Sequence, residues 1–241
     1  MLCQYCNQDR KLIKAHVIPE AFFRPLRKGK TPPRLYSQGK FPKKSPIGVY
    51  DKTILCLECE QKFHKWDDYA QKLLLQEFDS FSPRKSNGEI LAFVRENYDY
   101  KKLKLFFISL LWRSSISNQD YYSQINLDSL EDSLKTRLEN DKPGNADEYS
   151  TILARFDNRT GQLSMLNPHP QDFNGLEFIQ FYLTGYIAYV KIDNRPIKGI
   201  LRNFQLVPNQ KLYILTRDFN ESSEREVLEQ IVRNIAESTN E

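Results

Sequence analysis

Apolar residues recur at helical spacing in four stretches of the chain. Between residue 60 and about residue 78, Phe63, Trp66, Ala70, Leu73 and Leu74 form one stripe, predicting an amphipathic helix. Residues 101–117 carry Leu103, Phe106, Phe107, Leu110 and Leu111, apolar enough to predict a helix at the centre of a domain. The stripe of Leu127, Leu130, Leu134 and Leu138 over 127–140 is narrower and reads as a more exposed helix, ended by Lys142-Pro143-Gly144-Asn145. A last helix starts at Ser223, with Glu226 completing a capping box and Val227, Leu228, Ile231, Val232 and Ile235 facing the core.

Between the third and fourth helices the residue types change to β formers. Residues 149–156 predict a strand, and Asp157-Asn158-Arg159-Thr160-Gly161 turns it into 162–166 as a hairpin. Residues 178–192 predict one strand bent at Gly185, or two, and 212–216 another. The polar stretch 79–88 reads as a linker. The expected organisation is α+β: a small domain over 1–80, then a second α+β domain over 89–241 with a mostly antiparallel sheet. No internal repeat or Gly-rich phosphate loop is evident.

Composition narrows the class. The chain has 241 residues, of which 40% are hydrophobic and 12% aromatic, enough for a sizeable core and too aromatic for a disordered chain. Its longest apolar run, 105–111, is broken by Ser109 and falls far short of the roughly 20 residues that span a bilayer. Met1-Leu2-Cys3 opens no apolar signal region, so a soluble, cytoplasmic protein is expected, with no membrane partner. Charge is divided unevenly: residues 1–85 carry 17 Lys/Arg against 9 Asp/Glu, and the rest 18 against 22. Such a basic segment suits a polyanion, whose counterions are released on binding.

All four cysteines lie in that segment, as Cys3-Gln4-Tyr5-Cys6 and Cys56-Leu57-Glu58-Cys59. Two C-x-x-C knuckles predict a structural zinc site, since each turns two thiolates toward one point and together they complete a tetrahedron. A four-thiolate ion has no open position, so any chemistry must sit beside it.

Between the knuckles come Ala15-His16-Val17-Ile18-Pro19 and then Asp51-Lys52-Thr53-Ile54-Leu55, leading into Cys56. This order resembles the zinc-ribbon form of the HNH, or ββα-metal, endonucleases, over roughly the first 75 residues. The resemblance implies a zinc-stabilised ββα domain hydrolysing phosphodiester bonds in DNA, or in RNA, with His16 as general base. It places Asp51 where the family has an Asn that braces the base, and Glu60 where it has a final metal ligand. Ala15 stands where many members carry an acidic ligand. Glu60 and His64, four apart on one helix face, together with Asp51, are the candidate ligands for Mg²⁺ or Mn²⁺. Arg24, Arg27, Lys28, Lys30, Arg34, Lys40, Lys43 and Lys44 are candidate phosphate contacts, with Phe22, Phe23, Tyr36 and Phe41 interleaved. The family's standalone members often serve mobile elements or defence. The alternative reading is a zinc-stabilised module that holds nucleic acid or a protein without cutting. The acidic remainder of the chain would select the target, bind a partner or restrain the nuclease. His169, in Asn167-Pro168-His169-Pro170, reads as a restrained loop residue.

Overall fold

In the computed structural model, the residues described are 1–27, 34–36, 43–45, 47–156 and 165–238. Among the described residues the first half opens with four short strands: β1 (Ala15–His16), β2 (Arg34–Tyr36), β3 (Lys43–Lys44) and β4 (Tyr50–Asp51). β1 and β4 pair antiparallel, Ala15 opposite Asp51 and His16 opposite Tyr50. Helix α1 (Leu57–Gln71) then leaves directly from Cys56 and runs on through a wider π-helical turn, Lys72–Gln76. The predicted stripe of Phe63, Trp66, Ala70, Leu73 and Leu74 is buried throughout.

The expected linker at 79–88 is instead half of a hairpin. β5 (Ser82–Ser86) turns at Asn87-Gly88 into β6 (Glu89–Arg95). Asn87 at φ 48° and Gly88 at φ 87° adopt the left-handed pair that a two-residue hairpin turn requires. Every residue of β5 is exposed, so this edge strand carries no apolar pattern, and its polar sequence resembles that of a loop.

Helix α2 (Tyr100–Ser115) follows, capped by the Asp99 carboxylate, which accepts from the Lys102 N–H at 2.9 Å. Its residues from Leu103 to Ser114 are all buried. Helix α3 (Glu131–Glu139) packs beside it, with Leu134 and Leu138 buried. The second half supplies β7 (Thr151–Phe156), β8 (Met165–Leu166), β9 (His169–Phe173), β10 (Leu176–Leu183), β11 (Tyr186–Lys191), β12 (Leu212–Arg217) and α4 (Ser223–Ser238). The Thr184-Gly185 turn splits the predicted 178–192 stretch into two strands.

Among the described residues seven strands form one sheet in the order β5-β6-β12-β7-β11-β10-β9. Its neighbours are antiparallel except β12 and β7, which run parallel. The fold is therefore mixed α+β with a large, mostly antiparallel sheet. The predicted hairpin of 149–156 with 162–166 does not form: β8 pairs with β2, and β7 lies between β12 and β11. The turn proposed at 157–161 lies outside the described residues. The fourth helix starts where predicted, but Ser222 is its cap, its hydroxyl accepting from the Arg225 N–H at 3.3 Å. Val227 and Leu228 pack against the core and Ile231 is buried, while the side chains of Val232 and Ile235 lie outside what is described. No helix among the described residues is long and apolar enough to cross a membrane.

One core runs from Cys3 to Phe219. Tyr5 of the first knuckle packs edge-on against Phe63 of α1 and Trp112 of α2, and Phe22 stacks on Phe106. The first knuckle and the turn at Phe22 therefore pack against α2.

Candidate functional site

The four cysteine sulfurs lie within 4.8 Å of one another, and none is in a disulfide. Local chain geometry sets them there. In the first knuckle the Asn7 N–H bonds the Cys3 carbonyl at 2.8 Å, with Asn7 itself at φ 55°. The second knuckle straddles the start of α1, Cys56 capping it and Cys59 in its first turn. Burial pushes the Cys3 thiol up, but hydrogen bonds from the backbone of Cys6, Cys56 and Tyr5 outweigh it and bring the pKa down to about 7. Cys59 goes the other way, raised by burial and by the three neighbouring sulfurs. Crowded thiols with one already inclined to ionise are the donor set that a soft divalent cation neutralises. The four cysteines could thus hold a metal ion, and the set is compatible with structural zinc.

His16 stands in β1, three residues after Ile13, whose N–H bonds the Leu55 carbonyl next to Cys56. Its Nε2 lies 3.0 Å from the Ile47 carbonyl, which can only accept, so Nε2 of the neutral ring carries the hydrogen and Nδ1 keeps its lone pair. Burial lowers the imidazole pKa, opposed by the Ile47 carbonyl and by Glu20. The His16 ring meets Tyr50 edge-on, 6.0 Å between centroids.

Glu60 stands in the first turn of α1, half-buried. Its Oε2 is buried with no hydrogen-bond partner among the described residues. Burial raises its pKa; Arg113, the His16 amide and His64 pull it back, and Asp67 adds to the rise. His64, one turn along α1, is exposed. Asp67, a further turn on, is buried and paired with Arg113 of α2.

Asp51 does not join them. It lies opposite Ala15, so its side chain emerges on the other face of the strand pair from His16. Its Oδ1 accepts from the Thr53 N–H at 2.8 Å and hydroxyl at 2.6 Å; Oδ2 accepts from the Ser117 hydroxyl at 2.9 Å and the Asn118 N–H at 2.8 Å. Asp51, expected as brace of His16 and as metal ligand, has its carboxylate bonded four times over, to Thr53 and to the loop after α2. Ala15 is buried. Among the described residues only the cysteines form a group of three or more ligating side chains close enough to share an ion.

The basic positions divide. Arg24 and Arg27 both pair with Glu20, at 3.6 and 2.8 Å. Arg34, Lys43 and Lys44 are exposed on the β2–β3 ribbon, with Arg34 directly opposite Lys44. Lys28, Lys30 and Lys40, like Phe41, lie outside the described residues. Phe22 and Phe23 are core residues and cannot stack on a base from where they sit. His169 is in strand β9 rather than a loop, its Nδ1 bonded to the Asn167 carbonyl at 3.0 Å.

Asp67, expected within a turn or two of Glu60 and His64, is instead taken up by Arg113, a residue outside the expected site. The signal was present: Arg113 is a charge at the end of an otherwise apolar helix run, and Asp67 falls four residues after Phe63 on the buried stripe. Two opposite charges on buried faces must meet. No family model, curated protein or solved structure matches this chain.

Proposed function

We propose that the protein is a zinc-stabilised phosphodiesterase of the ββα-metal (HNH) type that cuts nucleic acid, DNA first, with His16 as its general base. The observation that carries this reading is the His16 Nε2 to Ile47 carbonyl bond, which leaves Nδ1 free to take a proton beside the helix bearing Glu60 and His64. A base held in one tautomer, with a pKa below that of free imidazole, is unprotonated at neutral pH and ready to accept from water.

Glu60 and His64 would hold the Mg²⁺ or Mn²⁺, with waters and phosphate oxygens filling the remaining positions, a small protein share that suits Mg²⁺ in particular. When bound, the ion stabilises charge on the pentavalent phosphorus and the departing oxygen. The unpartnered Oε2 of Glu60 supports that role, because a buried carboxylate oxygen without a donor is poorly satisfied.

The β2–β3 ribbon supports a polyanionic substrate. Arg34 facing Lys44 across the ladder is unfavourable in isolation, and a phosphate between them relieves the repulsion. With Asp51 engaged elsewhere, however, only two side chains remain for the catalytic ion. That favours a second reading, in which the unit holds nucleic acid or a protein and does not cut. Cytoplasmic location and a role in defence or mobile elements go with the nuclease reading.

The test is incubation of labelled duplex, single-stranded DNA and RNA with the protein in Mn²⁺, in Mg²⁺ and in a chelator too mild to remove zinc. Cleavage confined to the divalent-ion lanes supports the nuclease. Retention of the labelled strands without cleavage, in all lanes, supports the binding module.

A further inference from the structure

The guanidinium of Arg113 is shut away from solvent and uses all five of its N–H donors. Nη1 donates to the His16 carbonyl at 2.9 Å and to Asp67 Oδ2 at 3.0 Å. Nη2 donates to Asp67 Oδ1 at 2.7 Å and to the Ser109 hydroxyl at 2.9 Å, and Nε to the Ser109 carbonyl at 3.3 Å. One side chain of α2 thereby ties the backbone of His16 to helix α1, two turns beyond Glu60.

The same end of α2 grips the neighbouring strand as well. Ser117 and Asn118, just past the helix, hold Asp51 of β4, the residue opposite Ala15. Both strands of the β1–β4 pair are therefore anchored by residues 109–118, although neither strand belongs to that part of the chain. The two-residue strands offer few ladder hydrogen bonds of their own, so the anchors outside them decide where His16 stands.

We propose that Arg113 is a positioning residue that fixes His16 relative to Glu60, making the 109–118 segment an integral part of the hydrolytic site rather than of a separate module. The catalytic consequence rests on the nuclease reading; the positioning itself does not. Lysine cannot replace it, because an ammonium group presents donors from one point and cannot span a carbonyl, two carboxylate oxygens and a hydroxyl. A shift of about 1 Å between base and ligand is enough to cost on the order of a hundredfold in rate.

The test uses the full-length chain in two variants: Arg113→Lys, and the double variant Arg113→Gln with Asp67→Asn, which leaves no unpaired charge buried. Three readouts are taken: zinc content, the ring ¹⁵N resonances of the three histidines, and kcat and KM for plasmid nicking. The expected result is unchanged zinc in both variants, unchanged His169 signals in both, and unchanged His64 signals in Arg113→Lys, which keeps the Asp67 charge one turn from His64. The His16 ring resonances shift or broaden in both variants, and kcat falls about tenfold or more with KM within about twofold. An unmoved His16 signal with unchanged kcat overturns the proposal. So does a uniform disturbance of all three histidines with zinc loss in both variants, which marks a general folding role. If the wild-type protein cuts nothing, the nuclease reading fails on its own, and the His16 resonances alone decide whether Arg113 positions the ring.

Discussion

The backbone N–H of Cys56 donates to the sulfur of Cys3 at 3.4 Å, so the two knuckles meet amide to sulfur although 53 positions separate them. The sulfur-sided contact favours a thiolate at Cys3 and brings the second knuckle over the first. Purified protein is expected to carry about one zinc per chain, read by elemental analysis, and Cys59→Ser to lose it. Even ~4 kcal/mol of lost metal-binding energy lowers Tm by roughly 8–16 °C for a chain of this size.

Asp51, with four hydrogen bonds on its carboxylate, ties its strand to the loop after α2. Burial raises its pKa, but the donors from Thr53, Ser117 and Asn118 outweigh that and hold it below the ordinary value. A depressed carboxylate stabilises the fold above the unfolded pKa of about 3.9, and that contribution is lost as pH falls through the folded value. Asp51→Asn is expected to cost about 2–3 kcal/mol at pH 7 and much less near pH 2, read by urea unfolding. Added Mg²⁺ should not recover the loss, as it would for a metal ligand.

Lys104 lies buried on α2 with its ammonium bonded to the Tyr149 carbonyl. Burial, with Lys191 nearby, brings its pKa down to about 7. In the unfolded chain a lysine titrates near 10.4, so between about pH 7 and 10.4 the unfolded state binds more protons. Stability owed to this group therefore rises with pH across that window and is flat below it. Lys104→Met is expected to remove a contribution on the order of a few kcal/mol from the slope between pH 7 and 10, and to be neutral or stabilising at pH 7. Parallel denaturant titrations of the two proteins over that range check it.

Gly48 follows Ile47, the residue whose carbonyl holds His16. Its φ of +83° suits glycine, and a Cβ there would overlap the Phe23 ring. Gly48→Ala is expected to cost about 1–3 kcal/mol through overpacking and to displace the Ile47 carbonyl. Nicking should fall at temperatures well below the melting transition, with zinc content unchanged.

The parts of the fold with a local cause were visible in the residues. The cysteine spacing announced the clustered sulfurs, and the helical stripes of α1 and α2 announced what is buried. Strand β5 was hidden because an exposed edge strand carries no alternation, though Asn87-Gly88 marked its hairpin. Pairings between distant segments, β8 with β2 and β12 with β7, depend on tertiary placement that no local pattern records. At the site the limit was side-chain direction: Asp51 sits at the expected place in the chain but faces away from His16, because strand parity turns it with Ala15. The Ile47 carbonyl bonded to His16 is a backbone group without a sequence signature, so no pattern in the residues announced that contact.

The most direct measurement is nicking of supercoiled plasmid in Mg²⁺ or Mn²⁺ by the wild-type protein beside His16→Ala, both checked for zinc and fold. Metal-dependent nicking by the wild type is expected, reduced about a hundredfold or more in the variant, the size expected for loss of a general base. Equal nicking by both zinc-loaded proteins would contradict His16 as the base, and no nicking by either would contradict the nuclease.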